Sequence, residues 1–295
     1  VIENGGTAVL SSGSGAAHHL EISGGSAFLV SDGADLGLAR LLVGYGSNGS
    51  MLVTGLGTEV TISPELVASL LIGTNALGTL TIDDGAVVRT LFADGDRVSL
   101  GSMSGGTGTL LLNATGANRG VLATNMISHE GGALIFNGGI LRAIGNQGNV
   151  LQNFEEGTII INSGGAYIDT DGFQIGIQAP MGGAGGLSKI GEGMLTLTGT
   201  NSYAGGTWVQ SGTLLVDAGG VISHVAADVF VATEPGSTAG LVIAGGTVRS
   251  YRGWVATGSN STGSVTVDGG LWDIGGALII GVNGAGHLLI NSGTV

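Results

Sequence analysis

The sequence predicts an all-β chain wound as a parallel solenoid, and three observations carry that prediction. The first is glycine, 61 of 295 residues, about three times its ordinary share of roughly 7%. Only three prolines accompany it and no Gly-X-Y period is present, so the chain is not collagen. The second is strict apolar–polar alternation in short runs such as Leu195-Thr196-Leu197-Thr198, the period-2 mark of a strand with one buried face. The third is recurrence. LLVGYGSNGSMLVTG (41–55), LLIGTNALGTLTIDDG (70–85), WVATGSNSTGSVTVDGG (254–270) and LIIGVNGAGHLLINSG (278–293) share one plan, and VFVATEPGSTAGLVIAGG (229–246) varies it. Apolar residues come first, then a turn of Gly, Asn and Ser, then an alternating strand, then a second glycine turn.

Taking the glycine before the second strand as anchor, Gly240, Gly263 and Gly286 recur every 23 residues, while Gly49 and Gly78 are 29 apart. A period in this range marks a solenoid. Each unit is too small to bury its own apolar face and must stack on its neighbours. Strands this short with glycine corners make each unit one rung of a β-helix, with parallel strands about 4.8 Å apart and roughly a dozen rungs spanning on the order of 60 Å.

Composition narrows the function. Apolar residues reach 43% and charged residues only 10%, which argues for a large core and against disorder. The net charge of −13, with Lys189 the single lysine, repels nucleic acid and anionic lipid. No cysteine is present. No apolar run is long enough to cross a bilayer as a helix, and the long alternating strands of an outer-membrane barrel are missing, so no direct membrane insertion is expected of this segment. No charged start followed by an apolar segment follows Val1, and the ends, VIENGG and NSGTV, read as those of a fragment.

Along the chain, residues 1–120 carry short repeats, 121–216 a loop-bearing section and 217–295 short repeats again, read as one domain and one continuous rod over 1–295. Parity turns Met51/Val53, Leu80/Ile82, Leu195/Leu197, Val265/Val267 and Leu288/Ile290 inward as aligned columns, with Val242, Val265 and Leu288 or their alternating partners in register. Phe136 and Leu141–Ile144 belong to the core. Asn146–Glu156 is expected to leave the rod as a loop, with a helical turn at Val150–Phe154. Trp272 falls inward with Val248 and Val295. Trp208 and Trp254 fall outward, and they are the candidate contact residues. Arg249 faces Asp273 one rung later.

Catalytic chemistry finds little footing. The acidic pairs Asp83-Asp84, Asp94/Asp96, Asp169/Asp171 and Glu155-Glu156 sit mostly in turn contexts, where Asp-Gly is ordinary. There is no G-x-S-x-G elbow and no G-x-x-x-x-G-K-[ST] loop. His18, His19, His129, His224 and His287 are scattered without metal-ligand spacing. The reading is therefore no enzyme: no catalytic, cofactor-binding or metal residue. The alternative is a carbohydrate-active β-helix enzyme, a polysaccharide lyase or hydrolase, which needs clustered carboxylates on adjacent rungs.

The stretch 181–216, MGGAGGLSKIGEGMLTLTGTNSYAGGTWVQSGTLLV, resembles the passenger-associated transport repeat of autotransporters, with Trp208 where a small polar residue is usual. The short repeats on both sides are similar to those of autotransporter passengers. The resemblance implies a right-handed β-helix displayed outside a Gram-negative outer membrane, with the membrane barrel elsewhere in the full chain. It implies adhesion, self-association or a stalk role, with a host-surface protein or glycan, or another copy of the chain, as partner.

Overall fold

The computed structural model describes residues 1–63, 70–91, 98–102 and 105–295. The described residues form strands and turns with no helix, and the parallel strands stack as a β-solenoid of about 11 turns. Two compact units are distinguished: residues 1–142, 151–154 and 158–160 in the first, and 143–150, 155–157 and 161–295 in the second.

In the first unit each turn contributes strands to three faces. One face stacks Ser26–Ser31, Gly49–Val53, Leu77–Ile82, Thr107–Thr115 and Gly132–Asn137, all parallel. Asp35–Val43 feeds the other two faces. Its first half pairs with Glu59–Ile62, followed by Val87–Thr90, Val121–Ala123 and Ile140–Arg142. Its second half pairs with Leu70–Ile72, followed by Val98–Leu100, Ile127–His129 and Leu151–Gln152. Alternation decides what faces inward. Met51, Leu80, Leu110 and Leu134 lie in register, as do Val53, Ile82, Leu112 and Phe136, and all are buried.

Glycine sets the corner. Gly49, Gly78 and Gly108 align on successive turns. A Cβ on Gly78 would lie 2.1 Å from the Val43 carbonyl oxygen and 2.3 Å from the Gly73 nitrogen. Gly73 holds a φ of +81°, which L residues rarely adopt. The backbone therefore turns within space that no side chain can enter.

The second unit repeats the three-faced plan. One face runs Ala166–Asp169, Leu187–Ile190, Thr207–Val209, Val229–Val231, Gly253–Val255 and Leu278–Ile280. The next runs Gln174–Ile177, Met194–Leu197, Gly212–Asp217, Thr238–Ala244, Thr262–Ile274 and Ala285–Thr294. The third carries Thr200–Asn201, Val221–His224 and Thr247–Ser250 against the end of Thr262–Ile274. Leu195, Leu214, Leu241 and Val265 form one buried column, and Leu197, Val216, Ile243 and Val267 the next.

Several sequence expectations are corrected here. Gly240 pairs with Ser264, and it is Ala239 that aligns with Gly263 and Gly286. Leu241, not Val242, is therefore opposite Val265. A fixed glycine-to-glycine period slipped by one residue because side-chain parity, rather than glycine spacing, sets the register. Leu288 and Ile290 keep their pairing with Val265 and Val267, yet Leu288 is half-buried and Ile290 exposed, because among the described residues Ala285–Thr294 pairs along one edge, with Thr262–Ile274. Trp272 is buried opposite Val248, whereas Val295 lies past the last pairing, Leu271 with Thr294, and is exposed.

The expected loop at Asn146–Glu156 is also corrected. Gln147 bridges to Ile175 in the second unit, and Leu151–Gln152 pairs with Ile127–Ser128 in the first. Val150–Phe154 contains strand where a helical turn was expected, with Val150, Leu151 and Phe154 buried. Polar composition suggested an excursion, but three apolar side chains had burial to gain. Arg249 and Asp273 are paired as expected, with Nε to Oδ2 at 3.8 Å. Both are well exposed, so the pair contributes about 0.2–0.5 kcal/mol.

Candidate functional site

The transport-repeat stretch holds its rungs with buried polar side chains as well as aliphatic ones. In Leu187–Ile190, parity sends Leu187 and Lys189 inward, opposite Thr207 and Val209. Lys189 is fully buried, and its Nζ donates to the carbonyls of Ile190, Gly191 and Ser211 at 3.1, 2.6 and 3.0 Å. Burial pulls its pKa down to about 8, opposed by the carboxylates of Asp169 and Glu192. Asn201 is buried in the same way: it accepts from the Met181 N–H and donates to the Gly199 and Val221 carbonyls. Both side chains bridge to a neighbouring turn. Sequence reading placed Lys189 in the motif without assigning it inward, because a lysine at an inward position violates the apolar pattern on which parity reasoning depends.

A second buried chain runs Tyr203, Thr207, His224. The Tyr203 hydroxyl lies 2.7 Å from Thr207 Oγ1, which lies 2.8 Å from His224 Nε2, and His224 Nδ1 is 3.2 Å from the Ala227 carbonyl. That carbonyl can only accept, so Nδ1 carries the proton; Thr207 donates to Nε2 and Tyr203 donates to Thr207. Burial raises the Tyr203 pKa far above its ordinary value. Burial also lowers that of His224, against opposing effects of its own backbone, the Ala227 carbonyl and Asp228. With the folded-state pKa below about 6.5, the unfolded chain takes up the proton first, so this stabilisation is complete above that value and is lost as pH falls through it. The difference in Tm between the wild type and His224→Gln should therefore shrink between pH 8 and pH 5. An equal difference at both pH values would contradict the assignment.

The outward side of the same strands carries an aromatic row. Trp208, Phe230 and Trp254 occupy the central positions of Thr207–Val209, Val229–Val231 and Gly253–Val255, in direct register. Their rings stack, with centroids 5.3 Å apart at 6° between Trp208 and Phe230 and 6.4 Å apart at 9° between Phe230 and Trp254. The Trp254 indole N–H donates to Asp228 Oδ2 at 2.8 Å. Both tryptophans are outward and half-buried, and ring-on-ring stacking supplies the cover. Sequence reading missed Phe230 as the middle ring. The signal was present in T-W-V, V-F-V and G-W-V, where the aromatic holds the same offset before an inward valine.

The acidic pairs are placed as turn residues. Asp83 accepts from Asn113 Nδ2, Thr115 Oγ1 and the Asp84 N–H, and Asp84 accepts from Asn118. Asp169 Oδ1 accepts from the Asp171 N–H, closing a turn. Asp84 and Asp171 both have φ of 47°. Glu155 and Glu156 are exposed, and Asp94 and Asp96 lie outside the described residues. Among the described residues, no group of three or more His, Cys, Asp or Glu side chains could hold a metal ion. His18 and His19 are both exposed. A recess of about 480 Å³ beside Leu29, Leu52 and Thr81 in the first unit carries Asp83, and one of about 490 Å³ beside Asn146, Gln174 and Thr196 in the second carries no carboxylate. A third, of about 260 Å³, lies between Tyr167 and Trp208.

Comparison with known proteins places this geometry. Residues 187–216 match the model of the passenger-associated-transport-repeat family. The chain is 29% identical over 112 residues to the adhesin BmaC autotransporter of Brucella suis biovar 1 (strain 1330), covering 38% of this chain and 3% of that protein. It is 38% identical over 89 residues to an extracellular serine protease of Serratia marcescens, covering 29% of this chain and 8% of that protein. The chain thus matches only a small part of the length of these curated relatives. No solved structure matches it. The transport repeat at 187–216, the stacked parallel turns that carry it and an autotransporter adhesin among its relatives all fit an autotransporter passenger β-helix.

Proposed function

We propose that the chain is the surface-displayed part of a Gram-negative passenger and acts as an adhesive module, without catalysis of its own. The observation that carries the reading is the outward Trp208–Phe230–Trp254 row on a stack of hydrogen-bonded turns. Large, half-exposed aromatic side chains held rigid at fixed spacing lose little entropy on binding a partner, and such residues are enriched in protein interfaces. The named adhesin relative supports the same reading. The carboxylates of Asp83, Asp84 and Asp169 support a reading without catalysis, since they accept from Asn113, Thr115 and Asn118 and from the Asp84 and Asp171 N–H groups.

The test is adhesion by cells displaying the full-length protein on glycan-coated and matrix-protein-coated surfaces, with cell aggregation measured in parallel. Combining Trp208→Ala with Trp254→Ala should reduce adhesion at least tenfold at equal display. Unchanged adhesion and aggregation in that variant would remove the aromatic row from the function.

A further inference from the structure

The aromatic row has a gap. Across successive turns its outward column reads Tyr167, Ser188, Trp208, Phe230 and Trp254 in unbroken register. Between Tyr167 and Trp254 every position but Ser188 carries a ring, and Ile279 continues the column beyond Trp254. At a spacing of about 4.8 Å per turn, Tyr167 and Trp208 are anchored roughly 10 Å apart, two stacking distances with no ring on the turn between them, and Ser188 on that turn is buried beneath its neighbours. The recess of about 260 Å³ opens at this place. Tyr167 and Trp208 bound it, Ser188 and Gly186 line it beneath, and Gln210 and Glu234 add polar groups to its rim. The indole leans over the glycine, because a Cβ on Gly186 would fall 2.6 Å from Trp208 Cζ3.

We propose that this recess binds one pyranose ring of a neutral or amino sugar. The proposal rests on the adhesive reading above and names its ligand class. A pyranose offers an apolar C–H face that can lie against an aromatic ring, and an equatorial edge of hydroxyls that needs both donors and acceptors. Gln210 supplies both, the Ser188 hydroxyl supplies both, and Glu234 accepts. A purely apolar ring would strip water from Gln210 and Glu234 without replacing their hydrogen bonds. An anionic sugar would meet Glu234 and a chain of net charge −13. The recess is smaller than the roughly 300 Å³ at which pockets for drug-sized ligands begin, which suits a single ring of a longer glycan whose remaining residues stay in solvent.

The test is calorimetric titration of the full chain with N-acetylglucosamine oligomers and with neutral glucose oligomers, using heparin fragments as the anionic comparison. Saturable binding is expected with at least one neutral series and not with heparin. Trp208→Ala should weaken it at least tenfold. Ser188 is buried at the floor of the recess, so Ser188→Phe, which fills it, should abolish binding at some cost in Tm, and Gln210→Ala at the half-buried rim should weaken binding at least threefold with circular dichroism and Tm unchanged. Arg249→Ala, an exposed change on another face of the turns, should leave affinity within twofold. Failure of both neutral series to bind, binding that survives Ser188→Phe, or heparin bound as tightly as the neutral sugars would overturn the proposal. Adhesion by displaying cells without sugar binding would discard the saccharide subsite and leave the adhesive reading standing. Sugar binding lost in Ser188→Phe but without adhesion would do the reverse.

Discussion

Leu197→Asp is expected to destabilise the chain by about 3–5 kcal/mol, enough to open the turns around the transport repeat. Leu197 is fully buried, in register between Ile177 and Val216, which are buried aliphatic residues in turn. An aspartate there must either ionise in an apolar column or keep its proton at the expense of a strongly raised pKa. Both routes cost several kcal/mol, beyond the loss of the leucine's own packing. Thr196→Asp, one residue away on the outward side of the same strand, is only half-buried and should cost less than about 1 kcal/mol. Denaturant unfolding with limited proteolysis of the transport-repeat stretch checks the contrast. Wild-type protease resistance of that stretch in Leu197→Asp would show that it is not a stability core.

Gly78→Ala should have a comparable effect through a different cause. Gly78 has no unusual φ, so alanine meets no intrinsic backbone penalty there; the obstacle is space. The new methyl would lie within 3.0 Å of the Val43 oxygen and of the Gly73 nitrogen and Cα. These are backbone atoms of the same tight corner, pinned by ladder hydrogen bonds on both sides, and they cannot rotate away as a side chain would. Destabilisation of about 3 kcal/mol or more is expected. Gly46 is the comparison. It has a φ of +69° but nothing within 4 Å of its would-be Cβ, so Gly46→Ala carries only conformational strain, on the order of 1 kcal/mol. If the two variants melt together, close packing of backbone at this corner is not what requires the glycine.

These two substitutions separate what the sequence by itself determined from what the tertiary structure decided. Alternation at Leu195/Leu197, Met51/Val53 and Leu80/Ile82 was sufficient to name the inward side chains, because period 2 is a property of any strand with one buried face. Recurrence of the unit was sufficient for stacking, since a rung this small cannot bury itself. The outward parity of Trp208 and Trp254 and the pairing of Arg249 with Asp273 follow from the same rule. Parity also held one residue further than glycine spacing did: it aligns Ile243 with Val267, where the glycine anchor misassigned Gly240.

The structure alone decided which polar residues go inside. Lys189, Asn201 and the Tyr203–Thr207–His224 chain are acceptable in the core because carbonyls and hydroxyls of adjacent turns meet them at hydrogen-bond distance, and those partners are 4 to 22 residues away along the chain. It also decided that Asn146–Glu156 contributes pairing residues, and that Phe230 completes a ring stack between two tryptophans. Each of these depends on which residue of the next turn lies opposite. A linear pattern specifies the side on which a residue lies; the stacking register specifies what it meets there, and that meeting fixes both the buried hydrogen bonds and the gap at Ser188.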